Sequence, residues 1–144
     1  MGKKDAVAAK AWSQAAEGRR NGIAFDAGGL IALERNNRRV FSILATALED
    51  GGRIIVPATA LAQVIRNPAK QVRLWRMVQY EETEVVPLDV SHAQAVGMLL
   101  AQSGTSDITD AHVAICAQRS GLAVITSDPL DLRRLDPRLR LITV

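Results

Sequence analysis

Cysteine is almost absent from this sequence, which contains a single one, Cys116, in 144 residues. One thiol cannot form an internal disulfide bond, and the sequence shows no cluster of His and Cys around it from which a thiolate zinc site could be built. We therefore expect neither a disulfide framework nor a zinc site. The reducing cytoplasm is the compartment in which such a chain is expected.

The sequence also lacks a long hydrophobic run. No uncharged apolar segment reaches the roughly 18 residues that a membrane-spanning helix requires. Lys3 and Lys4 resemble the basic start of a signal peptide, but Lys10, Ser13 and Gln14 interrupt the segment that follows. No export signal is predicted.

Most of the chain lacks an excess of either charge. The formal net charge is +3, and residues 1–25 supply all of it with five basic and two acidic side chains. The remaining 13 Lys and Arg balance 13 Asp and Glu. The basic character therefore belongs to the N-terminal part and does not by itself identify a nucleic-acid partner.

The length and composition predict one folded domain preceded by an arm. A chain of 144 residues with 48% hydrophobic and 23% charged residues can bury a conventional core without disulfide bonds. Residues 1–20 are predicted to form a helical arm, because their apolar side chains share one helical face. The arm is expected to pack on the domain or on a partner subunit, with capture of a partner or a nucleic acid as the alternative. Residues 21–144 are predicted to form the domain.

From residue 21 onward, short apolar runs alternate with helical patterns. Strands are predicted at 22–27, 53–57, 84–88, 122–126 and 140–144, and helices at 29–35, 38–50, 58–66, 69–82, 91–103 and 105–120. This alternation, without an Asn-Gly hairpin signal, predicts an α/β fold with a mainly parallel central sheet of four to five strands and helices on both faces. The carboxyl ends of such strands meet at one edge of the sheet, where ligands bind.

Aspartates recur at this predicted edge. Asp26 ends the first strand, Asp128 follows the fourth, and Asp131 lies three residues further on. Asp107 and Asp110 begin the helix that leads into the fourth strand, and their i,i+3 spacing places them on one helical face. Each one alone could be a helix cap or a turn residue, but together they predict a cluster of carboxylates.

Such a cluster requires something to offset its repulsion. Two unit charges about 4 Å apart cost roughly 4 kcal/mol at an effective dielectric of 20. A bound proton, a basic side chain or a divalent cation would relieve this cost. Hard oxygen ligands without His or thiolate favour Mg²⁺ or Mn²⁺.

Four segments of the sequence resemble the PIN domain, the nuclease family that includes the VapC-type toxins of bacterial toxin–antitoxin pairs. They are FDAGGLIAL at 25–33, VPATALAQV at 56–64, DITDAHVAICA at 107–117 and VITSD at 124–128. They occur in the family's order, and the resemblance covers residues 22–144.

The resemblance implies a Mg²⁺- or Mn²⁺-dependent endoribonuclease, with RNA as substrate, an antitoxin protein as partner and a homodimeric state. Three acids of the family, implied here as metal ligands, fall on Asp26, Asp110 and Asp128. Asp107 matches an additional acid at the start of the same helix as Asp110. Thr126 or Ser127 is implied as a nearby hydroxyl that contacts the substrate.

The sequence departs from the family at Gln63, which stands where most members carry a second acid, a glutamate. A neutral amide removes one negative charge and any role as a general base, although its carbonyl could still orient a water. The alternative function is therefore a catalytically weak or inactive PIN-like module that binds RNA or a protein.

A series of basic residues follows Gln63 at spacings of 4, 3 and 3. They are Arg66, Lys70, Arg73 and Arg76. We hypothesise that Arg66, Lys70 and Arg73 contact RNA phosphates beside the acids. Pro68 interrupts this segment, so a solvated basic face is the open alternative.

Three further side chains are predicted to have no catalytic role. His112 is predicted to be structural or on the surface, His92 to be on the surface, and Trp75 to pack in the interior rather than stack on a base.

Two rival enzyme classes are disfavoured by single positions. A phosphoacceptor receiver-like domain requires a lysine after a late strand, and the chain's last lysine is Lys70. A haloacid-type phosphatase requires a second acid two residues after the first, where Gly28 stands.

Overall fold

Five short strands form one parallel sheet in the computed structural model, which describes residues 21–144. The strands are β1 (Gly22–Phe25), β2 (Arg53–Pro57), β3 (Thr83–Val86), β4 (Ala123–Thr126) and β5 (Leu141–Thr143). Their order is β3-β2-β1-β4-β5, and every neighbouring pair is parallel. The predicted sheet is confirmed. The predicted arm over residues 1–20 lies outside the described part of the chain.

Seven helices connect these strands within residues 21–144. They are α1 (Ala27–Glu34), α2 (Arg38–Glu49), α3 (Ala58–Val64), α4 (Val72–Val78), α5 (Val90–Ser103), α6 (Ile108–Ser120) and α7 (Pro129–Leu135). The predicted α/β class with helices on both faces is confirmed.

The strand order reverses between β1 and β4. The chain passes from β1 outward to β2 and β3, and then returns across the sheet to place β4 on the other side of β1. Helices α2, α3 and α4 pack against α1, and α5, α6 and α7 pack on one another. The carboxyl ends of β1 and β4 therefore lie side by side at the switch point of the sheet, where ligands bind in folds of this class.

Helix α6 is the most deeply buried helix in the described part of the chain. Its residues Ala111 to Ala117 are all buried, although a surface helix buries only one stripe. It packs against α5, α7, β1 and β2. His112 and Cys116 are buried because both lie within the run from Ala111 to Ala117.

Several predicted element boundaries differ from the structure, and two of these differences have identifiable reasons. Strand β3 ends at Val86 rather than 88, because Pro87 has no N–H with which to continue the ladder. Helix α5 begins one residue before the predicted Ser91, because Asp89 is its cap and accepts a hydrogen bond from the His92 N–H at 2.8 Å.

The predicted helix over 69–82 is reduced to α4, Val72–Val78. Gln71, only 6% exposed, holds the preceding loop in place. Its Oε1 accepts from the backbone N–H of Arg66 at 2.8 Å and of Asn67 at 3.0 Å, and its Nε2 donates to the Val64 carbonyl at 3.0 Å. These bonds fix a non-helical connection around Pro68.

Helix α7 was not predicted. Asp128-Pro129 is compatible with a turn, but proline at the first helical position is also a common helix start. Among the described residues, no helix combines the length and apolar character needed to cross a membrane.

Candidate metal centre at the carboxyl edge of the sheet

Asp26 lies where β1 ends and α1 begins. It is 6% exposed, and its Oδ1 accepts a hydrogen bond from the Gly29 N–H at 2.7 Å, which caps α1. Burial raises the pKa of Asp26, and the charge of Asp128 raises it further, against the lowering effect of hydrogen bonds from Thr126, Gly29 and Gly28. The cap thus places a buried carboxyl group beside the end of β4.

Two glycines allow α1 to approach β4 this closely. A Cβ atom on Gly29 would overlap the backbone carbonyl of Ile125, and one on Gly28 would overlap the Ser127 hydroxyl. The Asp26 N–H also donates to the Ile125 carbonyl at 3.2 Å. Because neither glycine has a side chain, α1 can lie close to β4, and Asp26 lies against the end of that strand.

Thr126 links the ends of the two strands. Its side chain is fully buried, its Oγ1 accepts from the Asp128 N–H at 3.0 Å, and its interaction with the carboxyl group of Asp26 lowers the pKa of that group. Asp128 and Ser127 are exposed beyond it. Thr126 is therefore a positioning group, and Ser127 is the hydroxyl that remains open to a ligand.

The start of α6 contributes two further carboxylates. The Asp107 side chain caps the helix by accepting from the Asp110 N–H at 2.9 Å. The pKa of Asp110 is raised to about 6. Burial is the largest cause, and the negative charges of Asp107, Asp131, Asp26 and Asp128 are the further causes, in decreasing order. The negative charges of all four other carboxylates therefore act on Asp110.

Asp131, on α7, belongs to the cluster although no role was assigned to it from the sequence. It lines a pocket of about 240 Å³ together with Asp107, Asp110 and Arg134. The available signal was its position three residues after Asp128, at the start of the unpredicted helix α7. Larger pockets, of about 280 and 400 Å³, occur elsewhere and contain none of these five aspartates.

The five carboxylates have no basic partner close enough for a salt bridge within residues 21–144. Their donor set is oxygen alone, which suits Mg²⁺ or Mn²⁺ and does not suit a soft metal. The repulsion that raises the pKa of Asp110 is the kind that a divalent cation relieves. The donor chemistry therefore suits a hard divalent metal, although among the described residues no three of these carboxylates have ligand atoms within 4.8 Å of one another.

Gln63 is exposed on α3, one residue before the helix ends. Among the described residues, its amide makes no side-chain hydrogen bond to a carboxylate of the cluster. Helix α3 packs against α1, which Asp26 caps, and against α6, which carries Asp110 in its first turn.

The basic residues do not share the single helical face that their spacing suggested. Arg66 and Lys70 lie in the loop between α3 and α4, and Arg66 donates to the carbonyls of Ala62 and Ile65 at 3.1 and 2.8 Å. Arg73 and Arg76 are exposed on α4. All four are accessible to solvent, but the helix break at Pro68 divides them.

The predictions for the aromatic side chains had mixed outcomes. His112 is fully buried, as a structural residue would be, whereas Trp75, which was predicted to pack in the interior, is 37% exposed. The side chain of His92, predicted to be on the surface, is only 14% exposed. These two histidines are in contact, with ring centroids 5.3 Å apart.

The expectation that Cys116 has no His or Cys partners was wrong. One ligand atom from each of Cys116, His92 and His112 lies within 4.8 Å of the others. His112 and Cys116 are four residues apart and share a face of α6, a spacing that was visible in the sequence. The approach of His92 depends on the packing of α5 on α6.

Comparisons with known proteins agree with this geometry. Residues 23–136 match the family model described as the PIN domain. No curated protein matches the sequence.

Solved structures of similar fold come from three bacteria. VapBC2 from Rickettsia felis, bound to a promoter DNA fragment, shows a TM-score of 0.64 and 16% identity over 85% of this chain and 98% of that chain. DNA-bound VapBC from Salmonella typhimurium shows a TM-score of 0.62 and 19% identity over 85% and 97%. FitAcB from Neisseria gonorrhoeae shows a TM-score of 0.57 and 18% identity over 84% and 96%.

The matched segment spans most of the domain and contains all five clustered aspartates. PIN domains are generally nucleases that use divalent metal ions. The sheet order, the carboxylate cluster and the family match agree, and this chain belongs to the PIN-domain family.

Proposed function

We propose that this protein is a Mg²⁺- or Mn²⁺-dependent endoribonuclease, and that it acts as the toxin of a VapBC-type pair. The observation that carries the proposal is the position of Asp110. Its carboxyl group is half-buried among four other carboxylates at the switch point of the sheet, and its pKa is raised to about 6 by burial and by those charges. An arrangement that is unfavourable for the fold alone is expected where a cation binds.

Asp26, Asp110 and Asp128 would hold the metal, with Asp107 beside them. When bound, a divalent ion lowers the pKa of a coordinated water and stabilises the negative charge that develops on a phosphate during attack. The chain's own task is to hold the oxygens in place. The hydrogen bonds of Asp26 to Gly29 and of Asp107 to the Asp110 N–H do this.

The RNA would be held by groups around the cluster. Ser127 is exposed beside the acids and is suited to bind a phosphate or a ribose hydroxyl. Arg66, Lys70 and Arg73 are exposed and would contact phosphates further along the strand. Thr126, by contrast, supports substrate binding only through the acids that it positions.

An antitoxin partner and a homodimer are part of the same proposal. The similar structures are VapBC and FitAB assemblies, which supports an antitoxin for this chain as well. Exposed apolar side chains on the packed helices α1 and α4, namely Ile31, Val72 and Trp75, would suit a subunit interface. The cytoplasm is the compartment that belongs to this proposal.

The direct test is cleavage of single-stranded RNA, and of DNA of the same sequence, by the wild type and by Asp26→Asn with Mg²⁺ or Mn²⁺. Asparagine can still accept the cap hydrogen bond from Gly29, so the variant should fold. We expect metal-dependent RNA cleavage by the wild type and its loss in Asp26→Asn. Asp50→Asn, the same change at an exposed acid after α2, should retain full activity.

Several results would overturn the proposal. Cleavage by a folded Asp26→Asn protein at the wild-type rate would remove the carboxylate cluster from the mechanism. Cleavage of the DNA but not of the RNA would show that the substrate is DNA. If induced expression slows bacterial growth equally for the wild type and Asp26→Asn, the toxin assignment fails.

A PIN-like module that binds RNA or a protein without cleaving it is the second candidate. The neutral and exposed Gln63 supports it, because the family's usual second acid is missing there. Metal-dependent stabilisation together with RNA binding, but without cleavage by any preparation, would favour this candidate.

A further inference from the structure

A second cluster of ligating side chains lies away from the five aspartates. It contains every histidine and the only cysteine of the sequence, His92, His112 and Cys116. His92 lies in the first turn of α5, whereas His112 and Cys116 lie one turn apart on α6. Imidazole nitrogen and thiolate sulfur are ligands for zinc-like metals, in contrast to the all-oxygen cluster.

His112 has a buried nitrogen without a hydrogen-bond partner in the described part of the chain. Its side chain is fully buried, and Nδ1 lies 2.7 Å from the Thr59 hydroxyl. Nε2 makes no hydrogen bond, and the backbone of Pro87 is the nearby group that competes for this ring. An unpaired polar atom in the interior destabilises the fold. If Nδ1 carries the proton and donates it to Thr59, Nε2 presents a lone pair, as in histidines that bind metals.

His92 shows a similar arrangement. Its Nδ1 lies 3.0 Å from Asp89 Oδ1, so a proton on Nδ1 would be donated to a carboxylate and Nε2 would remain free. The carboxylate–histidine–metal arrangement orients the ring in many zinc sites. The guanidinium of Arg119, 3.4 Å from the same Nδ1, is the competing neighbour, and it also donates to the Ser91 hydroxyl at 3.1 Å.

We propose that His92, His112 and Cys116 form a site for a zinc-like transition-metal ion, with the two imidazoles and one thiolate as ligands. The three ligand atoms lie within 4.8 Å of one another, and tetrahedral zinc would bring them to separations of roughly 3.3–3.8 Å. The required contraction is small. This movement would fall to His92, in the first turn of α5, because His112 and Cys116 lie within the buried run of α6.

The surroundings leave room for a fourth ligand. A pocket of about 180 Å³ opens beside His92 and Cys116 and is also lined by Glu84, Arg53 and Ser120. A water or the Glu84 carboxylate, which pairs with Arg53, is available on that side. Three protein ligands and one open position are the usual arrangement of an accessible zinc site.

The protonation states balance for this binding step. Burial raises the pKa of the Cys116 thiol to about 12, so without a metal Cys116 is a neutral thiol. Burial also lowers the pKa of His112, which therefore offers a neutral imidazole. Binding would replace the S–H bond of Cys116 by a sulfur–metal bond and release one proton to solvent, with no change of oxidation state.

The test is a titration of the reduced, metal-free full chain with Co²⁺, followed by displacement with Zn²⁺. Because Cys116 is the only thiol, a thiolate-to-cobalt charge-transfer band can arise from no other residue of the chain. We expect this band, with visible bands of tetrahedral cobalt, to saturate at one equivalent and to disappear on addition of Zn²⁺.

Variants separate the ligands from their surroundings. Cys116→Ala should abolish the band, and His92→Gln and His112→Gln should each weaken Co²⁺ binding by at least about tenfold. Thr59→Val should keep the band but weaken binding, since Thr59 only orients His112. Asp26→Asn should bind Co²⁺ at Cys116 as the wild type does, so the result is independent of the proposed nuclease function.

Two outcomes would overturn the proposal. One is the absence of a charge-transfer band in the folded wild type at a several-fold excess of Co²⁺, a result that needs no variant to fold. The other is a band whose intensity and affinity are unchanged in both histidine variants, which would show the thiol binding metal alone.

Discussion

The Oγ1 of Thr126 accepts a hydrogen bond of 3.0 Å from the backbone N–H of Asp128. The same side chain also interacts with the carboxyl group of Asp26, which follows the neighbouring strand, and lowers the pKa of that group. A hydroxyl can donate once and accept at the same time, so one buried side chain serves both contacts. The relative position of two proposed metal ligands, 102 residues apart in sequence, therefore depends on a residue that binds no metal itself.

Replacement of Thr126 by valine should weaken metal binding without unfolding the protein. Valine has nearly the same shape but can neither donate to Asp26 nor accept from Asp128. We expect Mn²⁺ affinity to fall by about 10- to 100-fold, the usual effect of losing a residue that orients a ligand. Calorimetric titration with Mn²⁺ measures this change, and an unaltered affinity would contradict the positioning role.

Asp110→Asn should stabilise the metal-free protein. Burial and the surrounding carboxylates raise the pKa of Asp110 to about 6, so at pH 7.5 the folded state holds an unfavourable charge there. Removing that charge should raise the free energy of unfolding in EDTA by about 1 kcal/mol, after allowance for solvent screening.

The same variant should lose the stabilisation that Mn²⁺ gives to the wild type. Thermal unfolding in EDTA and in Mn²⁺ compares the two states, with Asp50→Asn as the matched acid outside the cluster. Lower stability of Asp110→Asn in EDTA, or an undiminished response to Mn²⁺, would be inconsistent with a repulsive metal-binding cluster.

Gly29→Ala should damage the site, whereas Gly97→Ala should not. A Cβ on Gly29 would overlap the Ile125 carbonyl, a backbone group that cannot move aside cheaply. We expect a loss of about 1–3 kcal/mol in unfolding free energy. Gly97 lies within α5 with open space around it, so alanine there should stabilise by up to about 1 kcal/mol. Urea denaturation of both variants tests the contrast, and equal effects would argue against close packing of α1 on β4.

Asp136 should contribute stability that is lost in acid. Its burial alone would raise its pKa, but hydrogen bonds from the Arg138 N–H at 2.9 Å and Gln118 Nε2 at 2.8 Å, with the Arg138 side chain, outweigh this and lower the pKa. A lowered folded-state pKa means that the stabilisation is present above the ordinary value of 3.8 and disappears as the pH falls through the folded value.

The difference in unfolding free energy between the wild type and Asp136→Asn should therefore be largest near neutral pH and shrink below about pH 4. Urea denaturation at several pH values measures it. Gln118→Ala removes one of the donors to Asp136. The difference in unfolding free energy between the wild type and this variant should have the same sign and be smaller. A difference that grows in acid would mean that the sign of the shift is wrong.

Gln63→Glu should test whether α3 contributes to the metal centre. The side chain is exposed near the end of a helix, so the change should alter stability by less than about 0.5 kcal/mol. We expect tighter Mn²⁺ binding and faster RNA cleavage, because the added carboxylate restores the acid of the family pattern. Glu49→Gln on α2 serves as a control for a general charge effect, and unchanged binding in Gln63→Glu would place this residue outside the metal centre.

The local pattern was sufficient for the sheet and most of the helices. Strands β1 and β2 are continuous apolar runs that end at Asp26 and Pro57, and Gly104 and Gly121 adopt the left-handed conformation that ends α5 and α6. Such signals depend on residues adjacent in sequence. The helix predicted over 69–82 failed because a distant contact prevailed: Gln71 fixes the preceding loop and also donates to Glu34 on α1 at 3.1 Å.

The candidate site, too, was predicted only in part from the local pattern. Asp26, Asp107, Asp110 and Asp128 were predicted together because each follows a strand or starts a helix, and the parallel sheet brings those points to one edge. Asp131 was left without a role because the helix that carries it was not predicted.

The sequence by itself determined the elements, the parallel sheet and the edge at which the acids gather, since these follow from apolar periodicity and from where each strand ends. Only the tertiary structure decided which polar groups share an environment. It placed Asp110 among four carboxylates and brought His92 to His112 and Cys116. The reason is physical: pKa values and ligand sets depend on distances between helices, and packing against the whole core fixes those distances.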